Sequence, residues 1–433
     1  MRFERLLLGA AAGIAVIGTA QAADLPMTKG EAVEYVKVCS TFGPGFFYIP
    51  GSDTCLKIGG EIRADYRAFG GDSLSMSGNV LTKTKFNRND NRSAFGTQGR
   101  IWFDARTQTD YGLLRSYFQI NASGRTASRT GTGTTNSFSV DKAFIQFGGL
   151  TAGYAHSFFG FYDNEYGDTI WAPYYAESNT VNLLAYTAQF GGGLSATLSI
   201  EDGRDHRSGL ALNSYTAGGQ QVPDVVGQLR YDGNWGSVAV QAAGHQVRSG
   251  GTTAPYGSTY GFAAGGTILI KIPAIDGGHF VVEGQYADGA TDYLGAGNSV
   301  LGAADQFEKY DTTGALGNFT RGKGFSIVAE LGANVTPDLV AALVGSYIDT
   351  SYSDALYNTT TDAPVDFKIR EFTVAGNLTY TIVKGLTLGG EVSYTRVSAK
   401  NALVLDSATD TDVIKKSVDA NVWQVGLRLK RSF

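Results

Sequence analysis

The chain has 433 residues, with 35 Lys and Arg against 40 Asp and Glu, which gives a formal net charge of −5 at neutral pH. This mildly acidic balance argues against nucleic acid as a partner. Only two cysteines and four histidines occur, and their spacing matches no zinc-binding pattern, so we expect neither a metal site nor a cofactor. Glycine, tyrosine and phenylalanine are abundant, at 58, 23 and 24 residues, while hydrophobic content is ordinary.

The N-terminus has the pattern of a secretory signal peptide. Arg2 and Arg5 precede an apolar run over residues 6–17, and Ala20-Gln21-Ala22 forms a small-x-small cleavage site before Ala23. The run is too short to span a bilayer as a helix, although an uncleaved anchor is the alternative. We therefore divide the chain into a signal peptide (1–22), an N-terminal lead-in (23–54) and the main domain (55–433).

The two cysteines, Cys39 and Cys55, flank a turn-rich segment of the lead-in. Export to an oxidising compartment makes a disulfide the expected state of such a pair. Two free thiols are the alternative.

Strand-like segments recur along the whole main domain, and no later stretch is long and apolar enough for a transmembrane helix. Sixteen are expected, an even number, as single-chain bacterial outer-membrane barrels require. They lie near residues 56–69, 98–108, 113–123, 138–147, 151–157, 181–190, 194–202, 223–232, 236–247, 258–271, 279–288, 324–335, 338–350, 367–381, 385–397 and 419–433. A barrel of this size leaves a water-filled channel.

Short and long connections alternate between these segments. Seven short links are rich in turn residues, and eight longer polar segments include residues 70–97, 203–222, 289–323, 351–366 and 398–418. Short turns on one side and long loops on the other are typical of outer-membrane barrels. The predicted fold is thus an all-β, antiparallel transmembrane barrel with short periplasmic turns and long extracellular loops.

The first strands place many charges on one face. Lys57, Glu61, Arg63, Asp65 and Arg67 alternate with apolar residues, and lipid cannot accommodate so many charges near its midplane. The next two strands alternate in the same way and add further charged residues to this face. The pattern predicts a basic cluster on the lumen wall. Its members are Arg63, Arg67, Arg100, Arg106 and Arg115. The alternative is that nearby Glu61, Asp65 and Asp104 pair with them, and that they play no part in selectivity.

The loop after the fifth strand, residues 156–180, differs from the other loops. It is rich in aromatic residues, and it contains four carboxylates but no Lys or Arg. These carboxylates are Asp163, Glu165, Asp168 and Glu177. We expect the aromatic residues to pack this third loop into the pore, where its carboxylates oppose the arginines and create a transverse field. An external aromatic loop that packs between subunits is the alternative.

The last strand alternates strictly. Trp423, Val425, Leu427, Leu429 and Phe433 form one face, and the residues between them are polar or small. It resembles the closing strand of a bacterial outer-membrane barrel, in which the terminal Phe433 would serve as part of the signal for the barrel-assembly machinery. A soluble edge strand is the alternative. The alternation assigns Arg428 and Lys430 to the lumen, whereas Arg431 interrupts the lipid face and should lie at the periplasmic headgroups, where a charge costs about 0–1 kcal/mol.

Three stretches near the start carry a family resemblance. They are Val33-Glu-Tyr-Val-Lys-Val-Cys39, Gly43-Pro-Gly-Phe-Phe-Tyr-Ile-Pro-Gly51 and Thr54-Cys-Leu-Lys-Ile-Gly-Gly-Glu-Ile-Arg63. These stretches resemble the start of mature alphaproteobacterial porins of the rhizobial and Brucella type, and residues 141–147 and 150–153 fit as well. The resemblance implies a homotrimer in outer-membrane lipid and lipopolysaccharide. Each barrel would be a passive pore for small hydrophilic solutes and ions.

Three other functions compete with a general pore. A solute-specific channel, for a sugar or an anion, could use a track formed by Tyr162, Tyr166, Trp171, Tyr174 and Tyr175. An enzyme could use His156 beside Ser157, but neighbours in a strand point to opposite faces, so we expect no enzymatic activity. A purely structural or adhesive barrel would have no open pore, and sixteen strands argue against it.

Overall fold

The structure is a computed structural model that describes residues 37–77, 80–124, 136–162, 168–207, 218–250, 257–301, 305–310, 312–406 and 411–433. The predicted signal peptide, with its cleavage site between Ala22 and Ala23, lies outside the described residues. So do Asp163, Glu165 and Tyr166 of the third loop.

The described part of the chain forms twenty strands and two short 3-10 helices, Thr291–Leu294 and Ala296–Asn298. The strands are β1 (Phe47–Tyr48), β2 (Cys55–Ser77), β3 (Val80–Lys85), β4 (Ser93–Thr109), β5 (Gly112–Gly124), β6 (Asn136–Phe147), β7 (Leu150–His156), β8 (Thr180–Gly191), β9 (Leu194–Glu201), β10 (Asp224–Gly233), β11 (Gly236–Arg248), β12 (Ser258–Lys271), β13 (His279–Asp288), β14 (Gln306–Tyr310), β15 (Leu316–Arg321), β16 (Lys323–Thr336), β17 (Leu339–Asn358), β18 (Ala363–Val383), β19 (Leu386–Asp406) and β20 (Thr411–Ser432). None of the helices found in these residues is both long and apolar enough to cross a membrane.

Sixteen of the strands form a closed antiparallel barrel. Each barrel strand pairs with the next along the chain, and β20 pairs with β2 to close the ring, with Tyr66 opposite Leu427. β14 and β15 form a separate hairpin, β1 pairs with the start of β2, and β3 folds back on the end of β2. The predicted fold class and all sixteen predicted strands are therefore confirmed.

The long connections were less accurately predicted than the strands. Residues 351–358, 398–406 and 411–418 were expected in loops, but they continue β17, β19 and β20. Residues 70–77 likewise extend β2, which pairs there with β3. Outside the bilayer both faces of a strand can be polar, so pairing continues where the alternation of apolar residues has already ended.

The short links lie at one end of the barrel. Gly148, with φ +58°, and Gly385, with φ +80°, adopt left-handed backbone conformations in two of these turns, where glycine meets no steric penalty. Arg431 lies at the same end, where its guanidinium donates a hydrogen bond to the carbonyl of Lys384, 3.2 Å away. Its charge is thus beside a turn rather than in the middle of the apolar band.

The closing strand presents its apolar face outward. Trp423, Leu427 and Leu429 are exposed on the outer surface. The backbones of Phe433 and Gly60 exchange two hydrogen bonds of 3.0 Å, and a Cβ at Gly60 would approach the Phe433 ring to 2.5 Å. The last residue therefore completes the seam between β20 and β2.

The lead-in segment is held by the predicted disulfide, since Cys39 and Cys55 are bonded and buried. Phe46 is buried with them. The guanidinium carbon of Arg106 lies 4.9 Å from the centre of the Phe46 ring. This contact places the disulfide loop against the inner wall, near the end of the barrel that carries the short links.

Candidate pore constriction

The inner loop, described at residues 157–162 and 168–179 between β7 and β8, lies inside the barrel. Phe159 and Tyr175 are buried in one cluster with wall residues such as Val226, and Phe161 and Tyr162 are buried in another. The aromatic residues therefore pack the loop against the wall, and the prediction that the third loop folds into the barrel is confirmed.

Four wall glutamates, here called the anchor glutamates, accept hydrogen bonds from the backbone of the inner loop. They are Glu201 of β9, Glu283 of β13, Glu330 of β16 and Glu391 of β19, and all four are buried. Carboxylates form strong, charge-assisted hydrogen bonds with backbone N–H groups. An irregular loop inside a barrel needs such acceptors, because its own N–H groups lack strand partners.

Glu391 makes the largest set of these contacts. Its two oxygens accept the N–H groups of Ile170, Trp171 and Ala172 at 2.6, 2.8 and 2.7 Å. Elsewhere, Glu283 accepts the N–H of Tyr162 at 2.7 Å. The loop is thereby held to the wall at Tyr162 and again at residues 170–172.

The remaining anchors complete the attachment. Glu201 accepts the N–H of Phe158 at 3.1 Å, and Glu330 accepts that of Asp168 at 3.2 Å. Glu330 also accepts a hydrogen bond from the Tyr162 hydroxyl. The sequence analysis did not identify these glutamates, although Glu283, Glu330 and Glu391 each lie between two apolar or small residues.

Asp168 is the described loop carboxylate that faces the lumen, and about half of its side chain is exposed. Its Oδ2 lies 3.9 Å from Nε2 of His279, which is itself 3.0 Å from Glu330. Partial burial and the neighbouring Glu330 carboxylate raise the pKa of Asp168 to about 7. Its charge therefore changes near neutral pH.

Trp171 connects the inner loop with the opposite side of the barrel. Its indole N–H donates to Asp65 at 3.2 Å, and its ring lies 4.9 Å from the guanidinium of Arg428. Arg67 approaches the same ring at 5.9 Å. The loop thus extends from Glu391 to the seam between β2 and β20.

A cavity of about 820 Å³ remains between the inner loop and the first strands. Asp168, Trp171 and Tyr174 line one side, and basic residues line the other. These basic residues are Arg63, Arg100, Lys142, Arg428 and Lys430. Arg428 and Lys430 therefore lie on the lumen side, as the alternation of the last strand indicates.

The wall arginines around this cavity pair with acceptors on their own wall. Arg63 contacts Glu61, and Arg100 donates to Asn121 at 2.8 Å and lies 4.0 Å from Asp141. Each guanidinium keeps part of its surface exposed to the lumen. Such pairing reduces but does not cancel their field in the cavity.

Arg106 and Arg115 lie apart from this cavity, and Arg67, which approaches the Trp171 ring, does not line it either. Arg106 and Arg115 both bind Asp104, at 2.7 and 2.9 Å. Arg106 packs on Phe46, and Arg115 lies 5.1 Å from the Tyr117 ring. All four arginines thus pair with acceptors on their own wall, and Arg106 and Arg115 differ in lying outside the cavity.

Glu177 is also separate from the cavity. It is only 1% exposed, and it contacts Asn179 and His206 rather than the wall arginines. Tyr162 and Tyr175 are fully buried, whereas Trp171 and Tyr174 line the cavity. Two of the five rings proposed for a solute track are therefore inaccessible to a solute.

Comparisons with known proteins agree with this architecture. Residues 24–425 match a family described as "Porin subfamily". Porin Omp2b of Brucella suis biovar 1 is 35% identical over 254 residues, which span 55% of this chain and 65% of that protein. The matched segment is thus just under two thirds of the relative's own length.

Two solved structures are similar in fold. The outer membrane channel DcaP of Acinetobacter baumannii superposes with a TM-score of 0.61 at 15% identity, covering 89% of this chain and 99% of that one. Salmonella typhi OmpF, solved in complex with daunomycin, gives a TM-score of 0.51 at 11% identity, covering 88% and 98%. Given the family match over most of its length, this chain belongs to the porin family and is a β-barrel protein of the outer membrane.

Proposed function

We propose that this protein is a passive, water-filled channel for small hydrophilic solutes and ions. The observation that carries the proposal is the cavity of about 820 Å³ beside the inner loop, with Asp168 on one side and Arg63 and Arg100 on the other. A polar, charged lining favours water and hydrophilic solutes. A barrel of sixteen strands is wide enough to leave such a path open.

The constriction in this proposal lies between opposed charges. Asp168, with its neighbours Asp163 and Glu165, supplies the acidic side, and Arg63, Arg67 and Arg100 supply the basic side. A transverse field across a narrow polar passage orders water and disfavours apolar solutes. Arg106 and Arg115 extend the basic wall toward the disulfide loop. Glu177 lies elsewhere, buried beside Asn179 and His206.

The proposal includes an assembly and its surroundings. We infer a homotrimer in outer-membrane lipid and lipopolysaccharide, exported by a signal peptide that is removed after Ala22 and inserted by the barrel-assembly machinery through the strand that ends at Phe433. The exposed apolar face of that strand, with Trp423, Leu427 and Leu429, supports contact with lipid or a neighbouring subunit. The trimer follows from the family resemblance.

Planar-bilayer recording tests the channel directly. The purified protein should give stepwise, voltage-linear conductance, in groups of three if a trimer inserts as a unit. Heat-modifiable electrophoretic mobility provides the control that the protein is folded. Sealed bilayers with folded protein would contradict the proposal. Saturable block by a sugar would favour a solute-specific channel instead.

A further inference from the structure

Three loops meet in a buried polar cluster at the end of the barrel that carries the long loops. The inner loop contributes Glu177, the segment after β9 contributes His206, and the 3-10 helix Thr291–Leu294 contributes Asp292. Their exposed fractions are 1%, 0% and 6%. Three groups from three separate loops thus come together out of contact with water.

The geometry of these three groups suits a small metal ion. Nδ1 of His206 lies 3.8 Å from Oε2 of Glu177 and 3.8 Å from Oδ2 of Asp292, and all three atoms lie within 4.8 Å of one another. A tetrahedral zinc ion with bonds of about 2.0–2.1 Å separates its ligands by about 3.4 Å. The two separations from Nδ1 exceed this value by about 0.4 Å, so a modest contraction would let the three groups enclose the ion.

One of the three ligand atoms makes no hydrogen bond. Oε1 of Glu177 accepts the N–H of Asn179 at 2.7 Å, but the buried Oε2, which faces His206 and Asp292, has no hydrogen-bond partner. A buried carboxylate oxygen without a donor is costly, because it has lost its water without replacement. A bound cation would supply the missing interaction.

His206 has the orientation of a metal-binding imidazole. Its Nε2 lies 3.2 Å from Oε2 of Glu201, and its ring stacks on Tyr293 with 4.1 Å between ring centres. Metal-ligating histidines commonly donate their other N–H to a carboxylate, which fixes the ring and makes the ligand more basic. Here that contact directs Nδ1 toward Glu177 and Asp292. The Asn179 amide, which donates to Oδ2 of Asp292 at 2.5 Å and lies 3.5 Å from Nδ1, would turn aside when an ion binds.

Acidic groups outnumber the bases around this cluster. Asp224 and Asp305 lie beside His245, so five carboxylates, including Glu177, Glu201 and Asp292, surround two imidazoles. Within the described ranges, no arginine or lysine forms an ion pair with Glu177, Glu201 or Asp292. The cluster thus attracts positive charge.

We propose that Glu177, His206 and Asp292 bind one divalent cation of the zinc type, with water as a further ligand. One imidazole and two carboxylates suit zinc, whereas calcium requires six to eight oxygens. The ion would tie the inner loop to two external loops. The site does not depend on solute passage, and its test uses no conductance measurement.

A second triad supplies the matched control. Asp168, His279 and Glu330 have a similar composition, but Asp168 is exposed, and both oxygens of Glu330 are occupied by hydrogen bonds. His279→Gln alters this triad and leaves the proposed site intact.

The experiment uses tag-free protein, refolded in detergent, stripped with EDTA and then dialysed against micromolar zinc. Elemental analysis should find one zinc per chain in the wild type and in His279→Gln, with a zinc-dependent rise in the unfolding temperature. Glu177→Gln should bind at least tenfold more weakly. Glu201→Gln, outside the ligand set, should weaken binding about 10- to 100-fold.

The Glu177→Gln variant also shows whether weaker zinc binding could result from misfolding. It preserves size and the acceptor for Asn179 while removing a buried charge, so without zinc it should unfold at a higher temperature than the wild type. A wild type that retains no zinc, or a Glu177→Gln variant that binds zinc with unchanged affinity, would overturn the proposal. Uptake of calcium in preference to zinc would overturn the choice of ion.

Discussion

The two halves of the inner wall carry opposite charges, and the fold uses them in different ways. On β2, β4 and β20 basic residues outnumber acidic ones, and Arg63 and Arg428 remain partly exposed to the cavity. On β9, β13, β16 and β19 the charges are the anchor glutamates, which are buried beneath the inner loop. One wall therefore faces solution, and the other holds a loop.

The difference follows from what each group can bind. Arginine carries only donors, and the acceptors for Arg428 and Arg100 are side chains of their own wall, Asp65 and Asn121. A carboxylate carries only acceptors, and the irregular backbone of the inner loop offers N–H donors. Hydrogen bonds to charged groups contribute about 1.5–3 kcal/mol each, which offsets part of the cost of burying four carboxylates.

This division has a consequence for selectivity. Because the anchor glutamates are covered, the negative charge that lines the cavity comes from Asp168 on the loop and Asp141 on the wall. The positive charge comes directly from the wall. Changes to the glutamates should therefore affect the width of the passage, and changes to Asp168 or the arginines should affect its ion preference.

The largest expected effect is the loss of Glu391. Glu391→Ala leaves three backbone donors of the inner loop without their acceptor, at a cost of about 4 kcal/mol or more. We expect residues 170–172 to leave the wall and the single-channel conductance to change markedly, together with a lower unfolding temperature. Planar-bilayer recording and thermal unfolding measure the two effects.

Two variants control this result. Glu391→Gln retains one acceptor oxygen and should give a smaller change of the same sign. Asp104→Asn lies on the basic wall outside the cavity and has no described contact with the inner loop, so its conductance should stay close to that of the wild type. Equal conductances for Glu391→Ala and the wild type would show that the aromatic packing alone holds the loop.

Much of the barrel could be predicted from the sequence. The alternation of polar and apolar residues along β2 and β20 is a local pattern. It therefore predicts directly that the side chains of Arg63, Asp65, Arg428 and Lys430 point to the lumen. The ends of β17 and β19 could not be predicted this way, because the apolar face ends at the membrane surface while backbone pairing continues.

The candidate site, too, could be predicted only in part from the sequence. Alternation predicts that Glu283 or Glu391 faces inward, but not that it binds the inner loop, since its partners lie 121 to 221 residues away. The spacing of His206 likewise indicates no metal site, because Glu177 and Asp292 approach it only through the packing of three loops. Contacts of this kind depend on the closed barrel rather than on any local pattern.

A smaller effect is expected from the basic wall. A unit charge about 7 Å from the ion path contributes about 0.6 kcal/mol at the dielectric constant of water, close to a threefold change in ion occupancy. Arg63→Gln combined with Arg100→Gln removes two such charges and should therefore raise the cation-to-anion permeability ratio about sevenfold or more, as measured by reversal potentials in a salt gradient. The pair Arg106→Gln and Arg115→Gln, which lies outside the cavity, is the matched control. An equal shift in both double variants would show that the arginines lining the cavity have no special effect on ion preference.

The smallest expected effect is the pH dependence that Asp168 confers. Because burial and Glu330 raise its pKa to about 7, Asp168 is mostly neutral at pH 6 and mostly charged at pH 8. The cation-to-anion permeability ratio should therefore rise across this interval, by less than about threefold, since one partly screened charge is involved. His279, Glu330 and Tyr162 also lie in this group, so Asp168→Asn is needed to separate its contribution. That variant should be shifted toward anions at pH 8 and should lose the rise, whereas an unchanged rise would assign the titration to another group on the acidic side.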